Sequence, residues 1–326
     1  MRRWILLSLL PFSLFARKVI TSGPQETFES PWITGPLLAP SSFVVPRGHF
    51  NYEPYLYVVA ITGIYNSHWE KQKFESISWA NIFQPVVQFG LTGWADFQIA
   101  PTLNYNYTDH QAKWTFGDLP LELNIQLYTP PATDQWTPVI KLVLKEILPT
   151  GKYNHLNPKK RETDAGGGGS FETLLGVVLG KMFYFGDVYF LNSRLLLQYS
   201  LPAAARLKGF NSYGGGFGTN ARFYPSQNFL ADFAIELGLA RNWVFACDLV
   251  GIWYGKSHFT GSPGVDPLGQ PAPLGRPSFG VQYSLAPAIE YNWNARLGII
   301  GGGWFTFAGR ESISFWSTVL AINYYQ

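Results

Sequence analysis

The chain has 326 residues, of which 47% are hydrophobic and 17% aromatic, with a formal net charge of +3 and a mean hydropathy of zero. This balance excludes a strongly basic protein, so no nucleic acid or other polyanionic partner is expected. No run approaches the ~18 consecutive apolar residues of a membrane helix, which argues against a helical inner-membrane transporter. Cys247 is the single cysteine, so no internal disulfide holds the chain.

The first residues have the pattern of a secretory signal peptide. Arg2 and Arg3 precede a short apolar stretch over 4–15, and Ala16 is a candidate cleavage boundary. The stretch is too short for an ordinary spanning helix of about 20 residues. We therefore predict a signal peptide over 1–16 and an exported protein. A secreted β-sandwich or propeller is the soluble alternative.

A segment rich in proline and glycine follows over 17–52, where a long helix or a central strand is disfavoured. It also carries apolar side chains that would need a partner to leave water. Two alternatives remain open: the segment crosses a barrel lumen as a plug, or it is a mobile periplasmic leader. The candidate plug residues are Trp32, Leu37, Leu38 and Phe43.

From residue 53 to the end, apolar and polar residues alternate with a period of two, which indicates strands with one apolar face. The clearest case is 278–292, where Phe279, Val281 and Tyr283 oppose Gly280 and Gln282. Twelve segments of this kind are predicted: 53–65, 76–89, 94–107, 114–128, 136–148, 170–184, 187–201, 228–239, 242–256, 278–291, 294–307 and 311–325. Each can cross a bilayer at ~9 to 11 residues.

The connections alternate between short turns and longer loops, as in bacterial outer-membrane barrels. Tyrosine and tryptophan also fall near strand ends, which predicts girdles at the two headgroup levels: Trp79, Trp94, Tyr107, Trp114, Tyr128, Trp136, Tyr184, Trp243, Trp253, Trp293 and Trp304. The fold predicted for 53–326 is all-β, a transmembrane antiparallel up-and-down β-barrel of about 12 strands. It belongs in the outer membrane of a Gram-negative bacterium, with outer-membrane lipid and the barrel assembly machinery as partners.

Charged residues on the polar faces are candidates to line the lumen: Lys141, Lys145, Arg194, Asp232, Glu236, Asp248, Glu290 and Arg296. Neighbouring strands can pair opposite charges. We expect Glu122 near Lys141 and Lys145, Arg194 near Asp232 and Glu236, and Glu290 near Arg296. Such charges either create a transverse field that orients solutes in a narrow pore, or satisfy one another and keep the interior closed.

The five histidines give little indication of a catalytic site. His258 lies beside Thr260 in a loop without an evident carboxylate to orient it, so a catalytic arrangement is not expected. No metal ligand set or cofactor motif is predicted. The basic run Lys159-Lys160-Arg161 could touch lipopolysaccharide phosphates, although such runs are more often solvated loops.

At 139–153 the sequence Val-Ile-Lys-Leu-Val-Leu-Lys-Glu-Ile-Leu-Pro-Thr-Gly-Lys-Tyr, followed by a glycine-rich stretch over 166–179, resembles a family of outer-membrane proteins associated with the meta-cleavage pathway of phenol degradation. The resemblance implies a transporter-like barrel for small apolar compounds, and it assigns no functional residue. The predicted function is a passive channel for small solutes. The alternatives are a closed structural or surface-interaction barrel and, third, a lipid-modifying barrel enzyme.

Overall fold

After residue 49 the chain folds mainly into strands in the computed structural model, which describes residues 31–131, 134, 136–185 and 189–326. The predicted signal peptide over 1–16 lies outside these residues. The strands are β1 (Phe50–Tyr65), β2 (Lys71–Gly90), β3 (Ala95–Ile99), β4 (Leu103–Thr108), β5 (Gln111–Phe116), β6 (Leu119–Tyr128), β7 (Val139–Leu148), β8 (Glu172–Tyr184), β9 (Phe190–Pro202), β10 (Ala205–Lys208), β11 (Asn220–Tyr224), β12 (Asn228–Gly238), β13 (Trp243–Tyr254), β14 (His258–Ser262), β15 (Gly280–Asn294), β16 (Leu297–Arg310) and β17 (Ser312–Tyr325).

One short 3₁₀ turn lies at Pro158–Lys160. In the described ranges no helix has the length and apolar character needed to cross a membrane.

The main sheet closes on itself because β1 pairs antiparallel with both β2 and β17. We call each crossing of the barrel wall a stave. Two staves are built from two strands each, β3 with β4 and β5 with β6, so the barrel has twelve staves. Closure pairs the backbone groups of every stave, which is the condition for crossing a bilayer with strands. The predicted antiparallel barrel of about 12 strands is confirmed.

The two composite staves are interrupted at neighbouring positions, over 100–102 and 117–118. Ala100 N–H still donates to the carbonyl of Pro120 (3.2 Å), and Gly117 N–H donates to that of Thr102 (2.9 Å). Pro101 has no N–H for the ladder, so pairing breaks there. The prediction of uninterrupted strands over 94–107 and 114–128 was wrong at these points.

The outer wall of the barrel is apolar and carries the aromatic residues. Large exposed side chains include Trp94, Trp114, Tyr128, Trp136, Tyr184, Trp243, Trp253 and Trp293. Trp304 is the exception to the predicted girdle: its indole N–H donates to Ser284 Oγ (2.9 Å), and Ser284 is buried. An apolar band with aromatic ends on a closed antiparallel barrel defines an outer-membrane protein of a Gram-negative bacterium.

A second, three-stranded sheet lies at the end of the barrel that carries the longer loops. It joins β10, β11 and β14 and buries Leu207 and Phe223. These residues were predicted as loops over 202–227 and 257–277. The pattern failed there because strands of four or five residues give too few alternations to stand out.

Candidate functional site: the barrel lumen

Residues 31–49, called here the lumen segment, contain no strand, and interior carboxylates hold their backbone. Asp248 on β13, fully buried, accepts hydrogen bonds from the amides of Leu37 (3.1 Å) and Ala39 (3.0 Å), one at each oxygen. Glu290 on β15 accepts one from the Thr34 amide (2.7 Å). An extended or irregular backbone has free N–H groups, and carboxylates satisfy them strongly.

The later part of the segment is held by two strands from the first half of the chain, β3 and β6. Asp96 Oδ2 accepts the amide of Val45 (2.7 Å), and Gln126 Oε1 accepts that of Val44 (3.1 Å). Asp96 also accepts from Gln88 Nε2 (2.8 Å). These contacts come from staves on different parts of the wall, so the segment lies within the lumen.

Arg194 on β9 fixes the middle of the segment. Its Nη2 pairs with Glu236 Oε2 (2.9 Å), and its Nη1 donates to the carbonyl of Ala39 (3.4 Å). Gly35 has φ of +118°, and a Cβ built there would lie 3.2 Å from Arg194 Nη1. Glycine is required at this position both for the backbone conformation and for the close approach of the guanidinium.

The four candidate plug residues occupy different surroundings. Leu37 is buried in a cluster with small side chains such as Ala286 and with Ile300. The guanidinium of Arg241 lies 4.6 Å from the ring centre of Trp32. Leu38 lines the lumen cavity, whereas Phe43 is half exposed.

Both lysines of β7 line the lumen cavity. Lys145 Nζ lies 2.8 Å from Glu122 Oε2, which confirms that predicted pair, and Arg194 pairs with Glu236. Lys141 is 1% exposed, and in the part of the chain that the structure describes no hydrogen bond or ion pair reaches its ammonium. It lines the lumen cavity instead.

The placement of Arg296 in the lumen was wrong. Arg296 is exposed in the tight turn between β15 and β16, where its amide donates to Asn294 Oδ1 (2.8 Å). Glu290 therefore meets the lumen segment and not Arg296. The inward and outward alternation ends with the strand, so counting even positions past Asn294 does not locate the side chain.

The lumen encloses a cavity of about 360 Å³ between the segment and the wall. Its lining is divided: Tyr55, Tyr57 and Trp304 supply aromatic surface, while Glu53 and Asp232 supply carboxylates. Sequence reasoning missed Asp96 and these β1 residues. The β1 pattern was unclear because it carries Pro54, which stands opposite Pro85. Asp96 was recognisable as an inward position of its own strand, beside the turn.

Acidic groups outnumber cations on the β12 to β15 side of the lumen. On these strands three buried carboxylate oxygens have no hydrogen-bond partner within the described residues: Asp232 Oδ1, Glu236 Oε1 and Glu290 Oε1. Lys141 and Lys145 lie on β7, away from these strands in sheet order. Opposed charges of this kind produce a field across a narrow lumen.

A further cavity of about 550 Å³ lies under the outer loops. Arg276 borders it, with its guanidinium 4.5 Å from the ring centre of Tyr254. Burial lowers the pKa of Arg276, although Tyr254 and Glu311 oppose the shift. Asp118, at the break between β5 and β6, accepts the amides of Gly151 (2.8 Å) and Gly168 (2.7 Å) and so ties the 149–171 loop to the rim.

No catalytic or metal-binding arrangement is evident among the described residues. His258 stacks on Tyr224 with ring centres 4.4 Å apart. Over residues 31–326, less the masked positions, no group of three or more His, Cys, Asp or Glu side chains is arranged to hold a metal ion.

Comparisons with known proteins identify a similar fold and no family. No family model matches the chain, and no curated protein matches it in sequence. The COG4313 outer membrane channel from Pseudomonas putida F1 is similar in structure, with a TM-score of 0.66 and 13% identity, covering 87% of this chain and 97% of that one.

Two other solved structures align less well. The beta domain of the Bordetella autotransporter BrkA has a TM-score of 0.46 and 10% identity, covering 85% of this chain and 98% of its own. The TodX monoaromatic hydrocarbon channel, as the deltaS2 mutant, has a TM-score of 0.40 and 10% identity, covering 87% and 90%. The alignment with the COG4313 outer membrane channel is the one that shows a shared barrel fold.

Proposed function

We propose that the protein is a passive outer-membrane channel for small solutes, with the lumen segment as its constriction. The single observation that carries this proposal is the bonding of residues 34–45 to interior carboxylates beside a lumen cavity of about 360 Å³. A barrel of twelve staves lies between small barrels filled by side chains and large porins with aqueous channels. The similar structure from Pseudomonas putida is itself an outer membrane channel, which supports the proposal.

The bonds that hold the segment favour a removable constriction. Its backbone amides reach the wall through side-chain carboxylates, and it adds no strand to the barrel ladder. Water can replace an N–H donor to a carboxylate in a lumen that opens to solvent. Withdrawal of the segment therefore costs far less than opening the wall.

The solute class follows from the lining. Tyr55, Tyr57 and Trp304 form an aromatic side, and Lys141 and Lys145 lie on the wall of the same cavity. We infer small solutes with an apolar body, in keeping with the resemblance to the phenol-degradation family. Vesicle-swelling rates for a phenol and for a sugar of similar size test this: faster entry of the sugar contradicts it.

The channel itself is tested by planar-bilayer recordings of the refolded protein with residues 31–49 present and then deleted. Larger or more frequent current steps after deletion support a constriction in the lumen. Silence of both forms, with heat-modifiable migration showing that both are folded, contradicts the channel and favours a closed structural or surface-interaction barrel.

The absence of enzymatic activity is part of the proposal. His258 is the residue on which a lipid-modifying reaction would depend, and it is stacked on Tyr224 at the surface of the outer sheet. Lipid turnover by the purified protein that disappears in His258→Ala would contradict this part of the proposal.

A further inference from the structure

The outer sheet continues the barrel wall. Strands β10, β11 and β14 follow or precede β9, β12 and β13 after short breaks, and they pair in the same lateral order. One face of this sheet is buried by Leu207 and Phe223, against which Tyr153 and Tyr213 of the loops pack. Tyr213 and Phe223 also border the cavity under the outer loops, so the opposite face of the sheet points away from the barrel mouth.

That opposite face is basic. Alternation along the three strands exposes Arg206, Lys208, Arg222 and His258, and the remaining outward positions are Asn220, Tyr224, Thr260 and Ser262. No carboxylate occupies an outward position of these strands. We call this set of eight residues the basic face.

Its two arginines stand directly opposite each other, because Arg206 and Arg222 are Cα partners in the β10–β11 ladder. Like charges in this position destabilise a sheet, so the arrangement has a cost that an anion would remove. Arg222 also lies 5.5 Å from the ring centre of Tyr224, which stacks on His258. This contact orients one guanidinium along the sheet surface.

Two other basic side chains of the outer loops are already paired with carboxylates. Arg161 pairs with Asp109, and Lys152 Nζ lies 2.5 Å from Asp164 Oδ2. In contrast, no ion pair is formed by Arg206, Lys208 or Arg222 within the described ranges. The basic face is therefore a cluster of outer side chains whose positive charge has no ion-pair partner among the described residues.

The height of the basic face above the membrane follows from the number of strand residues between it and the lipid-facing wall. Leu201 on β9 is exposed on the lipid side, and Arg206 follows five residues later. At about 3.3 Å per residue this is roughly 16 Å along the strand, or about 12 Å above Leu201 with a strand tilt of ~40°. The basic face thus lies beyond the apolar band, at the level of the charged sugar groups of the outer leaflet.

We propose that the basic face binds the phosphate groups of the lipopolysaccharide that surrounds the barrel. Guanidinium groups match phosphate oxygens with two parallel hydrogen bonds, and the adjacent Lys208 and Thr260 add donors. A phosphate between Arg206 and Arg222 would neutralise the opposed charges. Bound glycolipid would anchor the outer sheet, and with it the loops over the mouth.

The test measures binding of full-length protein in detergent to a rough lipopolysaccharide that retains its core phosphates. The double variant Arg206→Gln with Arg222→Gln should bind at least tenfold more weakly than the wild type, and the wild-type affinity should fall as salt rises. The matched control is Arg47→Gln with Arg296→Gln, which removes two exposed positive charges at the other end of the barrel. It should bind like the wild type.

Equal binding by the double variant, or equal binding of the same glycolipid after chemical dephosphorylation, would overturn the proposal. Displacement by inorganic phosphate at the concentration of the glycolipid would also overturn it, because the site would then select free phosphate. Heat-modifiable migration on gels verifies that each variant is folded. The substituted side chains are exposed, so folding should be retained.

Discussion

Asp248 offers the sharpest test of the lumen segment, because each of its two oxygens accepts a backbone amide of that segment. In Asp248→Asn one oxygen remains as an acceptor, while the amide nitrogen faces an N–H group that it cannot accept. A hydrogen bond to a charged group contributes about 1.5–3 kcal/mol. At ~1.4 kcal/mol per factor of ten, losing one should raise the population with the segment displaced roughly 10- to 100-fold.

The matched control is Asp232→Asn, which makes the same carboxyl-to-amide change at another buried position of the lumen wall. Asp232 is buried on the neighbouring strand β12, and within the described residues it makes no hydrogen bond to the segment. Open probability in planar bilayers should rise for Asp248→Asn and stay near the wild-type value for Asp232→Asn. Equal open probabilities for the two variants would refute the reasoning, because the loss of a lumen carboxyl group, and not segment anchoring, would then control the current.

Three further outcomes are expected. Lys145→Met leaves Glu122 buried without its partner and should lower the free energy of unfolding in vesicles by about 1–3 kcal/mol, a loss that adding Glu122→Gln largely restores. Burial favours the neutral form of Asp164, but Lys152 and a backbone amide outweigh it and lower the pKa of Asp164. The ionised Asp164 stabilises the 149–171 loop above the ordinary pKa of ~3.9, and this stabilisation is lost as pH falls through the lower pKa of the folded protein. Amide exchange in the loop should therefore rise below about pH 4 in the wild type. In D164N the exchange should lose this pH dependence. Gly35→Ala should increase open probability, since its Cβ would lie 3.2 Å from a guanidinium nitrogen at a φ of +118°.

Much of the wall could be predicted because a strand places alternate residues on opposite faces. Asp232, Glu236 and Asp248 lie in long, regular strands, and all three side chains are buried in the interior. The Lys145–Glu122 pair followed from strand adjacency alone. The placement of Arg296 in the lumen was wrong because this residue lies beyond the end of β15, where alternation no longer applies.

The contacts of the lumen segment could not be predicted, because they join residues far apart in sequence. The Leu37 amide and Asp248 are separated by 211 positions, and no local pattern marks the amide of an irregular segment as a partner. The sequence therefore left the lumen and the periplasm as equal alternatives for the segment over 17–52. The outer sheet escaped prediction for a different reason, since β10 has only four residues.

The choice of donors in the lumen bears on whether the segment can leave. Glu290, Asp248 and Asp96 each accept an N–H of the segment, and an amide satisfies a carboxylate without neutralising it. Salt bridges at these positions would hold the segment by charge and leave buried ions unpaired on release. With amides, release exchanges one neutral donor for another, water, at the same carboxyl oxygens. The barrel should therefore fold without residues 31–49. The free energy of unfolding of the deletion variant, measured by urea unfolding in vesicles, should match that of the wild type within about 1–2 kcal/mol. A barrel that fails to fold after deletion would show that the segment is part of the core and not a displaceable constriction.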